Sequence, residues 1–263
     1  MFTRRHGLLG FSLLPIIATA QDIGAIGRAM APSGTLRAVI NTGNPILAGR
    51  LPGAAEPFGV SVDLAREVAR RLSLPLEMIV MPSAGRSVET IRADGADIGF
   101  FALDPARGHG IDFTAPYIEI EGTYLVREAS PITEIGQVDA QGIRIAVGLN
   151  SAYDLFLRRE IRAATLVRVS TSPRVVEEFL RQGLEVAAGV RQQLEADAAR
   201  LGGVRVLPGR FMVIQQAMGL ASGRNPAALA WLRAFVEEMK ASGFIAAALA
   251  RHNIQGASVA GPG

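Results

Sequence analysis

Arg107 is the residue whose position best suits ligand chemistry, because it closely follows a short apolar run at 98–103. The run predicts a buried strand, and Asp104-Pro105 breaks it, so that Arg107 lies just beyond the strand end. In open α/β sheets, ligands sit beyond the carboxyl ends of the strands. A guanidinium there can hold a carboxylate through two parallel hydrogen bonds. We therefore predict a carboxylate-binding role for Arg107, the alternative being a solvated surface side chain.

A second candidate is the turn at 148–153, which precedes a predicted helix. Ser151 is suited to cap this helix, and Asp154 stands at the position of a capping-box acid. The first N–H groups of a helix lack partners within it, and the helix dipole favours an anion there. A simple N-cap is the alternative, and the two interpretations are compatible. The candidate ligand contacts in this turn are Asn150, Ser151, Ala152 and Tyr153.

Residues suited to catalysis or metal binding are sparse. His6, His109 and His252 are scattered, and none stands at metal-ligand spacing from another histidine or a carboxylate. Cysteine is absent, which excludes disulfides, thiol catalysis and thiolate metal sites. Glu119 and Glu121 are two residues apart and would share a strand face, but we interpret them as solvated strand residues. The sequence thus predicts no catalytic residue, no metal site and no cofactor.

The elements that position these residues alternate between strands and helices. The first half has the order βαβαβ, which predicts a mostly parallel sheet with helices on both faces. The second half repeats this architecture without repeating the sequence. The predicted strands are 35–40, 75–81, 98–103, 121–127, 142–148, 165–170, 186–190, 204–207 and 211–220.

Short motifs surround the candidate arginine and carry a family resemblance. They are Gly95-Ala96-Asp97, Asp104-Pro105-Ala106-Arg107 and Asp112-Phe113-Thr114-Ala115-Pro116-Tyr117. As a set they resemble the family 3 periplasmic solute-binding proteins, the amino-acid-type receptors of ABC importers. The segment 59–65, Gly-Val-Ser-Val-Asp-Leu-Ala, is similar to a further motif of that family. The resemblance covers nearly the whole chain after residue 20.

The resemblance implies a two-lobed α/β fold of the type II periplasmic-binding class, with the ligand between the lobes. Two mixed sheets flanked by helices would be joined by two crossing strands. Lobe one would comprise 33–119 and 217–256, and lobe two 120–216. A tail at 257–263, small and polar, would be mobile.

The same resemblance implies roles for individual residues. The family arginine that matches Arg107 binds the ligand α-carboxylate, and the turn around Ser151 supplies N–H groups from lobe two. The strand before the arginine usually carries small hydroxyl residues, where this chain has Phe100 and Ala102. The lobe-one contacts implied in this way are Asn41, Asn44, Phe100, Phe101 and Ala102.

Two positions that usually carry an acid in the family are not acidic here. The first is Asn41, for which plain turn chemistry is the alternative. The second falls on Val190 or Arg191, and Arg191 is a further candidate ligand contact, because it would add positive charge beside Arg107 if it faced the cleft. An unpaired buried ammonium is costly, so we predict a carboxylate without an α-ammonium, or one with a second anionic group. The alternative is that an amino acid binds and that Glu119, Glu121 or Glu185 supplies the acid.

The N-terminal segment 1–20 has the order of a signal peptide, with Arg4 and Arg5, an apolar core and the small residues Ala18-Thr19-Ala20. Either Sec or twin-arginine export fits this segment. We predict cleavage before Gln21 and a periplasmic location. The formal charge of +3 falls close to zero once the segment is removed.

The predicted function is that of a periplasmic solute receptor for a small carboxylate-bearing metabolite, an amino acid or a related organic anion. Its partner would be an inner-membrane ABC permease, and the protein would be a monomer. No basic tract with interleaved aromatic residues occurs, which argues against nucleic-acid binding. Two alternatives remain open: a cyclohexadienyl-dehydratase-like enzyme on the same fold, and a ligand-sensing module.

Overall fold

The computed structural model describes residues 20–263, so the predicted signal peptide lies outside the described residues except for Ala20. Ten strands form one continuous sheet in this part of the chain. The strands are β1 Leu36–Asn41, β2 Leu76–Met81, β3 Ile98–Ala102, β4 Ile111–Arg127, β5 Arg144–Gly148, β6 Thr165–Val169, β7 Val186–Val190, β8 Val204–Val206, β9 Met212–Ala221 and β10 Ser258–Val259. The helices are α1 Ala20–Met30, α2 Val60–Leu72, α3 Ala84–Arg92, α4 Ala152–Glu160, α5 Val175–Arg181, α6 Arg191–Leu201, α7 Pro226–Ala241 and α8 Phe244–Arg251.

Two long antiparallel strands, β4 and β9, run through both halves of the molecule. Their pairing extends from Ile111 opposite Ala221 to Gly122 opposite Met212. The order of the sheet is β2-β1-β3-β9-β4-β7-β5-β6. Lobe one therefore contains β1, β2 and β3, and lobe two contains β5, β6 and β7. This is the two-lobed mixed α/β fold that the sequence predicted, with the two sheets continuous through the crossing strands.

Strand β4 begins ten residues earlier than predicted, at Ile111 rather than at Glu121. The prediction failed because Pro116 and the glycines before Ile111 suggested a turn. Proline lacks the N–H of a regular ladder, and the pairing with β9 shifts register on both sides of Pro116. These irregularities let the strand continue past the proline.

In helix α2 of lobe one, the local sequence determines both the buried face and the start of the helix. Its inward face, formed by Val62, Ala65, Val68, Ala69 and Leu72, is buried. Gly59 is the N-cap, and Ser61 lies within the first turn. Gly59 has φ 122°, and a Cβ there would clash with the carbonyl oxygen of Leu47. Glycine is thus required at the entry to this helix.

Helices α2 and α7 are joined by charged side chains on their outer surfaces. Arg71 donates to both carboxylate oxygens of Glu238, at 2.6 and 2.8 Å, and to Glu67 at 2.8 Å. Arg70 donates to the same Glu67 at 2.7 Å. This network connects two helices that are far apart in the sequence.

The C-terminal segment, for which the sequence predicted mobility, lies along lobe one. In β10, Ser258 pairs with Glu119 and Val259 with Ile118 of β4. Ala260 is buried, and its N–H donates to the carbonyl oxygen of Tyr117 at 3.1 Å. The composition of the segment gave no indication of this pairing.

Among residues 20–263, no helix combines the length and the apolar character needed to span a membrane.

Candidate functional site

The candidate site is a narrow cleft where the two lobes face each other beside the crossing strand β9. It encloses a cavity of about 40 Å³, room for one or a few water molecules. Lobe one contributes Asn41, Gly43, Asn44, Ala84, Phe100, Phe101, Ala102 and Arg107. Lobe two contributes Ser151, Ala152, Tyr153, Ser172, Val190 and Gln193, and β9 contributes Ile214 and Gln216.

Arg107 reaches the cleft through a tight turn after β3. The N–H groups of Arg107 and Gly108 donate to the carbonyl oxygen of Asp104 at 2.9 and 3.2 Å, and the Asp104 carboxylate accepts from the N–H of Ala106 at 2.8 Å. The guanidinium turns back to the strand end, where Nη1 donates to the carbonyl oxygen of Ala102 at 3.2 Å. The side chain is thus held at the carboxyl end of a central strand.

The guanidinium of Arg107 is buried without a counter-ion. The residue is 3% exposed, and among the described residues no carboxylate forms an ion pair with it. Burial lowers the pKa of Arg107 to about 10, with Asp104 opposing the shift and Arg92 adding to it. The side chain therefore carries its positive charge at neutral pH, and several of its five N–H donors remain for a ligand.

The turn before α4 supplies the opposite wall. Asn150 has φ 56°, in the left-handed region, and its N–H donates to Asp154 Oδ2 at 2.8 Å. Ser151 is the N-cap, as predicted, and its hydroxyl accepts from the N–H of Asp154 at 3.1 Å. The start of α4, with its unpaired N–H groups and favourable dipole, therefore faces Arg107 across the cleft.

Two polar contacts connect the lobes at this point. Nη2 of Arg107 donates to the carbonyl oxygen of Asn150 at 2.9 Å. Arg159 of α4 holds both carboxylate oxygens of Asp104, at 3.2 and 2.8 Å. The Asp104 carboxylate is thus paired with Arg159, and it makes no ion pair with Arg107.

The hydroxyl of Tyr153 lies close to the glycine that ends β5. Burial raises the pKa of Tyr153, and hydrogen bonding with Ser172 opposes the shift. A Cβ on Gly148 would lie 2.7 Å from Ser172 Oγ and 2.8 Å from Tyr153 Oη. The absence of a side chain at this position lets the two hydroxyls share one corner of the cleft.

The structure brings most of the predicted contacts together, but not Arg191. Its Nε donates to Glu121 Oε2 at 2.7 Å, and its Nη2 donates to the carbonyl oxygen of Gly209. Val190 lines the cleft in its place. Asn150 stands behind the wall and contributes its carbonyl oxygen to Arg107.

The acids proposed as alternatives are also engaged elsewhere. Glu119 accepts from Gln215 at 3.0 Å, and Glu185 pairs with Arg144 at 2.8 Å. Arg210 and Arg191 hold Glu121 and lower the pKa of its carboxyl group. None of the three glutamates is among the residues that line the cleft.

Several lining residues were not singled out from the sequence. Gln193 lies in the first turn of α6, and its Nε2 donates to the carbonyl oxygen of Ser172 at 3.3 Å. Gln216 is 6% exposed on β9. One local feature could have indicated Gln193: the strand that ends at Val190 lies three residues before it, so Gln193 falls in the first turn of the following helix. The others are Gly43, Ala84, Ser172 and Ile214.

The family model of the bacterial extracellular solute-binding proteins, family 3, matches residues 48–254. No curated protein matches the chain significantly. The family match includes lobe two, most of lobe one, the cleft residues from Ala84 onward and the whole of β9.

Solved structures share the fold at low sequence identity. The solute receptor for L-cysteine of Neisseria gonorrhoeae superposes with a TM-score of 0.75 at 20% identity, covering 88% of this chain and 94% of that one. A mutant of ArgBP from T. maritima superposes with a TM-score of 0.73 at 18% identity, covering 87% of this chain and 99% of that one. The ancestral amino-acid-binding protein AncCDT-1, a precursor of cyclohexadienyl dehydratase, has a TM-score of 0.73 at 18% identity, covering 87% of this chain and 98% of that one. At these identities the likeness establishes the fold alone.

Proposed function

The chain belongs to the bacterial extracellular solute-binding proteins of family 3, and on that basis we propose that it is the solute receptor of an ABC importer. Its ligand would be a small carboxylate-bearing metabolite held between the lobes. Its partner would be an inner-membrane permease, to which a monomeric receptor delivers the ligand in the periplasm. The basic and apolar N-terminal segment, 1–20, supports export.

The observation that carries the proposal is the buried, unpaired guanidinium of Arg107. A charge removed from water is costly unless it is paired and hydrogen-bonded. In this cleft the side chain has hydrogen bonds to two carbonyl oxygens, and no carboxylate of residues 20–263 pairs with it. A ligand carboxylate would supply the missing charge and accept two parallel hydrogen bonds.

Both lobes would contribute to binding. Arg107 stands on lobe one, and the start of α4 with Ser151 stands on lobe two. A carboxylate between them would accept from the guanidinium and from the N–H groups of the helix start. Because one ligand contacts both walls only when the lobes meet, its binding energy favours closure.

We propose binding without catalysis. Proton transfer requires a positioned acid or base within hydrogen-bond reach of the ligand. The described residues that line the cleft include neither a carboxylate nor an imidazole. His252 stands outside it, against Asp63 at 2.8 Å. A dehydratase-like enzyme would need such an acid or base, and the described lining supplies neither a carboxylate nor an imidazole for that role.

The experiment is a thermal-shift screen of small carboxylates against the exported form, residues 21–263, followed by calorimetry with the best binder. Replacing Arg107 with alanine removes one side of a buried charged pair, which typically costs about 2–5 kcal/mol and more than tenfold in affinity. The matched control is Arg144→Ala, which breaks an exposed pair with Glu185 away from the cleft. Unchanged affinity in a folded Arg107→Ala protein would refute the proposal.

A further inference from the structure

Building on that proposed function, we propose that the ligand is a monocarboxylate whose other polar groups are uncharged oxygens, such as a 2-hydroxy or 2-oxo acid. The charges of the cleft disfavour an α-amino acid with an uncharged side chain. The inference rests on the side chains that line the cleft and on the way nearby acids are already paired.

The lining carries one charge. Of the described residues around the cleft, Arg107 is the one that is ionised at neutral pH, and no aspartate or glutamate is among them. An α-amino acid with an uncharged side chain has no net charge, so its carboxylate would pair with Arg107 while its ammonium stayed unpaired. The closed cleft would then hold one uncompensated positive charge. A monocarboxylate without the ammonium brings the same cleft to zero, which avoids the cost of a buried lone charge.

Two acids that are close in sequence to lining residues, Asp104 and Asp154, are already paired with arginines. Asp104 is held by Arg159 on both oxygens. Asp154, fully buried in the first turn of α4, is held by Arg158 at 2.7 Å and Arg168 at 3.2 Å. Turning either carboxylate toward a ligand ammonium would break these ion pairs. Neither Asp104 nor Asp154 is therefore free to pair with a ligand ammonium.

Uncharged hydrogen-bonding groups are abundant instead. Asn44 Oδ1 is buried and has no partner among the described residues. The amide can turn over, so that it accepts from a hydroxyl or donates to a carbonyl oxygen of the ligand. The remaining groups of this kind in the lining are Asn41, Ser151, Tyr153, Ser172, Gln193 and Gln216.

The test uses compounds that differ only at the α-carbon. Two trios suffice, namely alanine, lactate and pyruvate, and valine, 2-hydroxyisovalerate and 2-oxoisovalerate. 2-Oxoglutarate is added as a dicarboxylate for comparison. Calorimetry on residues 21–263 should give at least one hydroxy or oxo acid a Kd lower than that of its amino acid by about tenfold or more. Dicarboxylates should bind more weakly than monocarboxylates, because the second charge has no cation in the cleft.

The second part of the test adds a negative charge to the cleft and asks whether the ligand preference reverses. Asn41 Oδ1 accepts from the N–H of Gly43 at 2.9 Å, and an aspartate oxygen can keep that bond. Asn41→Asp should therefore fold normally and add the anion that an ammonium requires. Affinity for the amino acid of the bound carbon skeleton should rise about tenfold, while affinity for the oxo acid falls. The control with the same charge change is Gln255→Glu on the exposed surface of lobe one.

The outcomes separate this inference from the proposed function. If an amino acid binds as tightly as its matched acids and the Arg107→Ala variant loses it, the ligand class is wrong and the receptor proposal stands. If no member of the trios binds, or binding survives Arg107→Ala, both fail. If Asn41→Asp leaves the preference unchanged despite normal folding, the charge argument fails.

Discussion

Nη2 of Arg107 donates a hydrogen bond to the carbonyl oxygen of Asn150, 2.9 Å away, across the cleft between the lobes. The residue proposed to hold the ligand thus also contacts the opposite wall. Asn150 can present its carbonyl in this way because it adopts a left-handed conformation, with φ 56°. Asparagine tolerates that conformation better than most residues.

A buried cation without an anion should make the cleft a source of instability. We expect Arg107→Met to keep the melting temperature of the ligand-free protein or raise it, because replacing buried charge by apolar packing is often neutral or stabilising by about 1–4 kcal/mol. The same variant should lose ligand binding. Differential scanning calorimetry checks the first point, and a drop of several degrees would show that Arg107 stabilises the fold.

The ion pair between Asp104 and Arg159 should favour the closed arrangement of the lobes. Arg159 is 42% exposed, so the pair contributes at most about 1 kcal/mol. Arg159→Ala should therefore weaken ligand affinity up to about fivefold without a large change in melting temperature. Its neighbour gives the control, since Arg158 pairs with Asp154 inside lobe two. Equal affinities for Arg158→Ala and Arg159→Ala would count against a role in closure.

The acid sensitivity of lobe one should depend on Glu67. Arg70 and then Arg71 lower the pKa of Glu67 from 4.5 to about 2. A carboxyl group whose pKa is lowered on folding stabilises the protein at pH values above its pKa in the unfolded chain. This stabilisation is lost as the pH falls toward its pKa in the folded protein. Thermal unfolding followed from pH 5 to pH 2 should show this loss.

Glu67→Gln should be less stable than the wild type at neutral pH and lose less stability across the same acid range. Glu56→Gln serves as the control, because Glu56 makes an exposed pair with Arg66. Parallel acid profiles for wild type and Glu67→Gln would mean that this network contributes nothing measurable.

Gly148 should be required for the arrangement of the two hydroxyls beside it. The added methyl of Gly148→Ala would lie 2.7 Å from Ser172 Oγ and 2.8 Å from Tyr153 Oη, so one of them must move. Overpacking of this kind costs about 1–3 kcal/mol, and ligand affinity should fall as well. Gly136→Ala is the control, since a Cβ there meets nothing within 4 Å. Equal affinities for the two variants would place Tyr153 and Ser172 outside the binding contacts.

The position of Arg107 was predictable because a strand end is a local feature of the sequence. An apolar run, a Pro that breaks it and an arginine beyond it are enough to place the side chain at the carboxyl edge of a sheet. The helix start at Ser151 was predictable for the same reason. In both cases a few neighbouring residues determine the geometry.

Arg191 shows where such local prediction fails. Val190 ends β7 opposite Gly122, and Arg191 is the first residue of α6. Val190 lines the cleft, while Arg191 meets Glu121, the residue before Gly122. The exact residue at which the strand gives way to the helix decides which of the two lines the cleft, and the local sequence does not specify it.

The polar residues of the lining could not be predicted from the sequence for a related reason. Gln193 and Gln216 are single amides on a helix and a strand, and nothing about their neighbours marks them. Their inward direction follows from how α6 packs on β4 and β7 and from how β9 pairs with β3 and β4. Long-range packing of this kind is absent from local patterns.

Mass spectrometry of small molecules that co-purify with the exported protein tests the central claim most directly. The claim is that Arg107 holds a carboxylate between the lobes. Wild-type protein and the Arg144→Ala control should release the same carboxylate-bearing compound on denaturation, and Arg107→Ala protein should release none. A compound without an acid group, or one retained equally by Arg107→Ala, would contradict the account.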